Sequence, residues 1–287
     1  MNNAAEQQNV VTEPTTTTNW SQIIARATSG HQVEASAEIK RYWDFIVEPG
    51  KAARIHVQQA QVPEGAARKL EYGYFDNLEA LIATASLYAE NSRLYVSLNC
   101  YEPDDAIFPL NEIREAGEAV VPEGNLAGCK HLLINPKIET TADSGVEVDE
   151  MVTMAKRVAE TLSVLKWADP AIIDDGGGFN LIYRIDQGEA FAAEPLIQGL
   201  LAKLADRLGE NSILIDVNAA HPAFMIPLPG TRGQKSRGAA DNANRQCQII
   251  HLPTQWKKIT SKNLLAFLPN GFPKKKGKTK EDRKSVV

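Results

Sequence analysis

The amino-acid sequence predicts a mixed α/β (α+β) protein, and two observations support this prediction. Short apolar runs of strand length alternate with longer stretches in which apolar residues recur at helical spacing. From residue 130 onward the order of these segments is strand, helix, strand, strand, helix, strand. That order is the split βαβ arrangement of ferredoxin-like and RNA-recognition-motif folds, so we expect such a core with an α/β extension before it.

The extension is predicted from three helical patterns and two strand patterns. The helices are expected at residues 20–27, 35–46 and 78–88. Pro49 and Gly50 follow the second of them, and Asp76 or Asn77 is placed to cap the third. Strands are expected around residues 53–57, where apolar residues alternate with other residues, and at residues 94–98.

The core is predicted from four strands and two amphipathic helices. The strands are expected at residues 131–135, 171–174, 179–185 and 212–217, and the helices at residues 146–166 and 190–208. In the split βαβ arrangement the first strand lies between the third and the fourth. We therefore expect a site on one open sheet face, built from four positions on these three strands: Leu133, Asn135, Asn180 and Asp216.

Composition excludes several classes of protein. Hydrophobic residues make up 43% and charged residues 23% of the 287 residues, as in ordinary globular proteins. No apolar run approaches the roughly 18 residues that cross a bilayer, and the polar N-terminus does not resemble a signal peptide. The cysteines are odd in number and widely spaced: Cys100, Cys129 and Cys247. We therefore expect a cytoplasmic protein without a disulfide framework, a zinc site or a membrane partner.

Charge is distributed unevenly along the chain. The net charge is −5, but the last fourteen residues carry +5, so the rest of the chain carries −10. Residues 1–18 are low in complexity. We therefore expect a disordered arm at 1–18, a domain at 19–268 with its core at about 130–252, and a basic tail at 269–287. The tail either binds a polyanion or is a solvated disordered segment, and the sequence leaves both interpretations open.

Three motifs follow one another along the chain. An entry segment at 73–77 is followed by the helix at 78–88 and a strand that leads to Asn99. The glycine-rich turn at 175–178 stands between the second and third core strands, and a Pro-Gly-Thr loop at 229–231 precedes basic residues. In this order the motifs resemble those of the archaeo-eukaryotic primase superfamily, especially the primase–polymerase domains of phages and plasmids. The resemblance covers residues 40–252 and implies a modified RNA-recognition-motif fold.

The resemblance also implies a catalytic pattern that this chain has largely lost. Family members carry an Asp-x-Asp on one strand, a histidine after the glycine-rich turn and a later aspartate, and their carboxylates hold two divalent ions. Here Leu133 and Asn135 stand at the Asp-x-Asp positions, Asn180 replaces the histidine, and Asp216 is the one retained carboxylate. We therefore expect a weak metal site at best, no cofactor, and Mg²⁺ or Mn²⁺ only if the chain is active.

The same resemblance implies roles for further residues. Positions expected to contact a nucleotide or nucleic acid are Asn99, Gly177, Gly178, Arg232, Lys235, Arg237 and Arg245. Acidic residues that lie near enough to compensate for the lost carboxylates are Asp174, Asp175, Glu139 and Asp143. Two aromatic residues of the third core strand, Phe179 and Tyr183, are candidates for stacking on a base, although strand aromatics more often belong to the core.

The leading hypothesis is a catalytically degenerate primase–polymerase-like protein, acting in the replication of a phage, plasmid or other mobile element. Such a protein binds DNA, RNA or a nucleotide, or assists a polymerase, primase or helicase supplied in trans. The first alternative is an active DNA primase or polymerase with a rearranged metal site. The second is a protein-interaction module that does not bind nucleic acid, because fold alone does not determine activity.

Overall fold

The computed structural model describes residues 18–29, 33–59, 71–89, 91–103, 109–115, 125–138, 148–209, 213–233 and 245–266. Its helices are α1 (Trp20–Thr28), α2 (Ala35–Ile46), α3 (Leu78–Tyr88), α4 (Val148–Val164), α5 (Ala190–Gly209) and α6 (Ser261–Ala266). None of the helices in these ranges is both long and apolar enough to cross a bilayer. The predicted tail and nearly all of the predicted arm lie outside the described residues.

The strands form two larger sheets and one short pair. Their bounds are β1 (Ala53–Gln59), β2 (Glu71–Phe75), β3 (Ser92–Ser97), β4 (Arg114–Glu115), β5 (Cys129–Ile134), β6 (Pro136–Ile138), β7 (Ala171–Asp174), β8 (Phe179–Gln187), β9 (Ile213–Ile215), β10 (Met225–Pro227) and β11 (Gln248–His251). The first sheet has the order β10-β3-β1-β2-β4 and is antiparallel throughout. The second has the order β11-β7-β8-β5, also antiparallel, and β6 pairs with β9.

The first sheet has one buried and one partly exposed face. Along β1 the buried residues are Ala53, Ile55 and Val57, and the residues between them are half-exposed. Because side chains alternate across a strand, this pattern directs one face to the core. Helix α3 contributes Leu81 to the same core, and the Asn77 side chain caps this helix by accepting from the Ala80 N–H at 3.0 Å.

A single residue, Asn135, separates β5 from β6. The part of the chain before it pairs with β8, and the part after it pairs with β9. The carbonyl of Asn135 accepts from the Asp216 N–H at 3.4 Å, so the pairing with the β9 segment begins beside the end of β5. One extended segment therefore connects the sheet formed with β8 to the ribbon formed with β9.

The predicted mixed α/β class is confirmed, and the predicted helices and longer strands are present. The predicted strand order is wrong in one respect: the first core strand, β5, is at the edge of the sheet β11-β7-β8-β5, and β9 pairs with β6 rather than with β5. The fourth core strand is shorter than predicted, because β9 ends at Ile215. Asp216 is therefore not a strand residue: its side chain caps the 3₁₀ turn Val217–Ala220 and accepts from the Asn218 N–H at 3.1 Å.

The prediction that the core sheet has an open face is wrong, because this sheet is covered on both sides. Leu133 of β5 is 0% exposed and belongs to the main hydrophobic core. On its side of the sheet His131 stacks on Trp256 with ring centroids 4.9 Å apart, and Trp256 stacks in turn on Phe45 of α2. Helices α4 and α5 pack against strands of the same sheet. A base therefore cannot reach Leu133.

The aromatic residues considered for stacking are also buried. Phe179 is 0% and Tyr183 is 1% exposed. Tyr183 packs edge-to-face against Trp167, with ring centroids 5.1 Å apart. Both rings are therefore core residues, and the sequence-based suggestion that they stack on a base is wrong.

The three cysteines are free and buried. Burial raises the pKa of the Cys100 thiol to about 11 and that of the Cys129 thiol to about 12. The third thiol, Cys247, donates to the Pro227 carbonyl at 3.3 Å, and burial also raises its pKa. Thiols in such surroundings stay protonated and unreactive at neutral pH.

A buried carboxylate joins helix α2 to the edge of the core sheet. Glu38 is 2% exposed, and its Oε2 accepts from the N–H of Ile249 in β11 at 2.6 Å. Its other oxygen is ion-paired with Arg41 and lies 3.6 Å from Arg26 Nη2. A buried carboxylate is tolerated only with such partners, so Glu38 fixes the position of β11 relative to α2.

We expect Glu38→Ala to lower the free energy of unfolding by about 1–3 kcal/mol, because the buried Ile249 N–H loses its acceptor. Urea unfolding of the full chain measures this change. The matched control on the same helix is Asp44→Ala, which removes an exposed carboxylate paired with Lys40. That variant is expected to stay within about 0.5 kcal/mol of the wild type. Equal effects of the two substitutions would contradict the role of Glu38.

Candidate functional site

The glycine-rich turn joins β7 to β8 and is the centre of the candidate site. The Asp175 N–H donates to the Gly178 carbonyl at 3.0 Å and closes the turn. Gly176 has a φ of 88°, in the left-handed region that favours glycine. The sequence-based placement of this turn between two core strands is therefore confirmed, and backbone conformation explains at least one of its glycines.

The N–H groups of this turn are already bonded to the chain's own carboxylates. Asp174 Oδ1 accepts from the Gly176 N–H at 2.9 Å, and Asp175 Oδ1 accepts from the Gly177 N–H at 2.8 Å. The Gly178 N–H also bonds the Asp175 carboxylate. A turn with free N–H groups binds anions, but here an internal anion occupies that place. In this conformation Gly177 and Gly178 have no N–H free for a phosphate.

Both turn carboxylates are buried, with Asp174 0% and Asp175 2% exposed. Burial raises the pKa of Asp174 to about 6, although the Arg245 guanidinium and the Gly176 N–H lower it. Burial likewise raises the pKa of Asp175, opposed mainly by its bonds to Gly177 and Gly178. Asp174 Oδ2 forms an ion pair with Arg245. Arg245, predicted to contact a nucleotide, is therefore committed to an internal carboxylate.

A chain of hydrogen bonds connects the two asparagines to the turn. The Asn135 amide donates to Asn180 Oδ1 at 2.5 Å, and the Asn180 amide donates to Asp175 Oδ2 at 3.1 Å. Asn180 is 1% exposed and Asn135 is half-buried. The fold thus brings the predicted site positions Asn135 and Asn180 together. The Asn180 side chain holds the turn through Asp175 and does not face a site for a phosphate.

Asp216 lies at the rim of this cluster and is ion-paired. Its Oδ2 is 3.0 Å from Lys137 Nζ, and its side chain is 21% exposed. The Lys137 charge also lowers the pKa of Asp175, against the larger effect of burial. Lys137 therefore neutralises the rim of the site. The sequence analysis missed it, although it follows directly after the Asn135-Pro136 pair.

The described side chains do not fit a pair of divalent ions. Among the described residues no group of three or more His, Cys, Asp or Glu side chains is placed to hold a metal. Asp174 and Asp175, considered as replacement ligands, point their oxygens at backbone N–H groups, at Arg245 and at Asn180. Of the described carboxylates Asp174, Asp175 and Asp216, only Asp216 is exposed to solvent, and Mg²⁺ needs several oxygen ligands in octahedral geometry. Glu139 and Asp143 lie outside the described residues.

The remaining residues predicted to contact a nucleotide or nucleic acid do not form one cluster with the glycine-rich turn. Asn99 is 1% exposed: its amide donates to the Pro222 carbonyl at 2.9 Å, and its oxygen accepts from the Lys130 and His131 N–H groups. It is therefore a structural link to β5 and does not face solvent. Arg232 is half-buried, and its backbone forms an isolated antiparallel β-bridge with Gln246. The structure does not describe Lys235 and Arg237.

Gly233 packs directly against the glycine-rich turn. A Cβ at this position would lie 2.5 Å from the Asp175 carbonyl oxygen, 2.8 Å from the Arg245 carbonyl oxygen and 2.9 Å from Gly176 Cα. The Gly233 N–H donates to the Arg245 carbonyl at 2.8 Å, and its own carbonyl accepts from Arg93 Nε at 3.0 Å. This glycine therefore connects the turn to β3, a contact that no sequence motif indicated.

Comparison with known proteins gives one structural likeness. No family model matches the chain, and no curated protein matches it. Among solved structures, the chain is similar to the AEP domain of the primase–polymerase (PrimPol) of cyanophage S-2L. The TM-score is 0.47 at 12% sequence identity, and the match covers 81% of this chain and 97% of that one. The likeness concerns the fold alone.

We expect Gly233→Ala to destabilise the protein by about 1–3 kcal/mol, because the added methyl group meets backbone atoms that cannot rotate away. Gly188→Ala is the matched control, since a Cβ there meets no atom within 4 Å. Thermal unfolding of both variants measures the difference, and the control is expected to match the wild type. A stable Gly233→Ala protein would show that the turn is not packed as described.

The buried Asp174 carboxylate makes stability depend on pH. Its folded pKa of about 6 lies above the ordinary value of 3.8, so between these values the folded state binds more protons than the unfolded state. Stability of the wild type should therefore fall as pH rises through this window, by up to about 3 kcal/mol relative to Asp174→Asn. Urea unfolding of both proteins at intervals from about pH 4 to about pH 7 tests this, and a constant difference would contradict it.

Proposed function

We propose that this chain is a primase–polymerase-like protein that has lost nucleotidyl transfer and binds nucleic acid or a nucleotide as an accessory factor in replication. In this proposal it serves a phage, plasmid or other mobile element, beside a polymerase, primase or helicase supplied in trans. The motif order from the entry segment at 73–77 to the Pro-Gly-Thr loop at 229–231 supports the primase-like part. The structure of the site supports the loss of catalysis.

The observation that carries the proposal is the inward orientation of the carboxylates of the glycine-rich turn. Two-metal phosphoryl transfer needs clustered carboxylates that face a shared, accessible space. Asp174 and Asp175 instead bond the turn's own N–H groups and are almost fully buried. Leu133 is a core side chain, and Lys137 pairs with Asp216. Freeing either turn carboxylate would leave buried N–H groups without acceptors, which is costly.

A binding role is compatible with the same arrangement. The glycine-rich turn, the Gly233 contact and the Asp174–Arg245 pair make a rigid region in which almost every polar group already has a partner. A rigid scaffold is what a binding surface requires, because less conformational freedom is lost when a ligand binds. Catalytic function and binding function can therefore separate, with the first lost and the second retained.

The test is primer extension and de novo primer synthesis with Mg²⁺ and with Mn²⁺, on the wild type and on Asp216→Ala. We expect no incorporation above background in any of these reactions. Binding of a labelled DNA oligonucleotide to the same protein is measured across a salt series. We expect the logarithm of the affinity to fall linearly with the logarithm of salt concentration, by about 0.7 per phosphate neutralised on a single strand.

Each other outcome selects a different function. Metal-dependent incorporation that disappears in Asp216→Ala would overturn the proposal and identify an active enzyme with a rearranged metal site. No incorporation and no salt-sensitive binding would overturn it as well and favour a protein-interaction module. The full chain is used throughout, so that the basic residues of 269–287 are present.

A further inference from the structure

The half-exposed face of the first sheet carries polar and aromatic side chains in a regular arrangement. On β1 the residues that alternate with the buried ones are Arg54, His56 and Gln58, and on β3 they include Arg93 and Tyr95. The opposite face of these strands belongs to the main core. Near β2 this face also carries a buried cluster of Ala52, Tyr74 and Tyr101, against which Tyr72 packs. Around His56 and Tyr95 the face is half-buried, and its side chains are polar or aromatic.

Three rings lie in one row across this face. Strand register places Tyr72 of β2 opposite His56 of β1, and His56 opposite Tyr95 of β3. Arg114 of β4 and Pro227 of β10 continue the row at its two ends. Each ring of the row is half-exposed. With neighbouring strands about 4.8 Å apart, the two tyrosines are separated by about 10 Å.

The orientation of these rings is fixed by polar contacts. The Tyr95 hydroxyl donates to Gln58 Oε1 at 3.1 Å, and the Arg54 guanidinium lies over the Tyr72 ring, 5.6 Å from its centroid. The His56 and Tyr95 rings are 6.1 Å apart and inclined by 32°. Burial and the neighbouring Arg54 charge lower the pKa of His56, so it presents a neutral ring at pH 7. The face therefore presents preorganised flat rings.

Positive charge is concentrated at the β1–β3 part of the row. Among the described residues, Arg54 and Arg93 form no ion pair with a carboxylate. Arg93 uses Nε to bond the Gly233 carbonyl, and Arg54 lies against Tyr72. At the β4 edge, by contrast, Arg114 is ion-paired with Glu112. An anionic ligand is therefore attracted to the centre and the β3 side of the face.

This face is continuous with the candidate site. Arg93 bonds the carbonyl of Gly233, and Gly233 packs against Asp175 of the glycine-rich turn. The Asp175 charge also raises the pKa of the Tyr95 hydroxyl, with burial as the larger cause, so the two groups are close in space. A polymer lying along the row of rings would thus run toward the Asn135–Asn180 cluster.

We propose that this face binds single-stranded nucleic acid, with bases stacked on Tyr72, His56 and Tyr95 and with phosphates held by Arg54 and Arg93. The proposal rests on the proposed function and names the ligand class and the surface for it. Flat rings interleaved with guanidinium groups that form no ion pair with a described carboxylate match a polymer that alternates unstacked bases with phosphates. A duplex hides its base faces, and an apolar protein partner would leave the guanidinium groups without counter-charges.

The test compares full-length variants for binding of a fluorescent oligodeoxythymidine, an oligouridine and a DNA duplex at two salt concentrations. Tyr95→Leu and Tyr72→Leu keep apolar bulk but remove a stacking surface, so each is expected to weaken single-strand binding about tenfold. Tyr95→Phe keeps the ring and is expected to bind within about twofold of the wild type. Arg93→Gln is expected to weaken binding and to reduce the salt slope by about one.

Matched controls lie elsewhere on the protein. Tyr88→Leu changes a half-exposed tyrosine of α3, a helix that packs on the core side of the sheet, and Arg207→Gln changes an exposed arginine of α5. Both are expected to bind like the wild type. Circular dichroism and thermal unfolding establish that each variant is folded, and Tyr95→Phe provides a comparison that leaves the ring in place.

The outcomes separate this inference from the proposed function. Wild-type binding with unchanged affinity in both tyrosine-to-leucine variants would overturn the inference while the proposed function stands. Equal affinity for the duplex and the single strands would also overturn it. Absence of any binding by the wild type would overturn the proposed function and the inference together. A selective loss in the face variants supports it, and the DNA and RNA arms then identify the polymer.

Discussion

The arrangement of the candidate site depends on one constraint, which is that buried hydrogen-bonding groups need partners. The turn between β7 and β8 places three glycine N–H groups in the interior, and Asp174 and Asp175 bond them. These carboxylates then need partners of their own, which Arg245 and Asn180 provide. The position of Asn135 follows from the same requirement, whereas Gly233 packs against the turn because the space there admits no Cβ.

The same constraint explains why Leu133, Asn135 and Asn180 fit the fold. Leu133 lies in a sheet that is covered on both sides, where a carboxylate without a metal ion would be an unpaired buried charge. Asn180 is buried but neutral, and its amide can donate to Asp175 and accept from Asn135 at the same time. A leucine and two asparagines therefore fit these positions without leaving an unpaired buried charge.

Periodicity in the sequence predicted much of the architecture. The helix expected at residues 35–46 matches α2, and the alternation around residues 53–57 correctly indicates β1. The strands β2, β4, β6, β10 and β11 were missed, because segments of two to five residues carry too little periodic signal. The sequence analysis predicted Asp216 on a strand, because the apolar run before it has no clear end. In the structure Asp216 caps a 3₁₀ turn that begins at the next residue.

The sequence indicated some residues of the candidate site but not their orientation, and it missed Lys137 and Gly233. Residue types and motif order indicated Asn135, Asn180, the turn and Asp216. The sequence does not show that the turn carboxylates face inward, because residue type does not determine which way a side chain points in the fold. The Asp174–Arg245 pair joins residues 71 positions apart, and the row of rings spans strands far apart in the chain. Such contacts arise from tertiary packing alone.

The burial of all three thiols makes this chain well suited to site-specific labelling. Maleimide reagents modify thiolates, and Cys100, Cys129 and Cys247 are both enclosed and protonated at neutral pH. A single cysteine introduced on the surface would therefore react selectively in the otherwise unaltered protein. Fluorophores or spin labels attached in this way can report distances within the native chain, with none of its own cysteines removed.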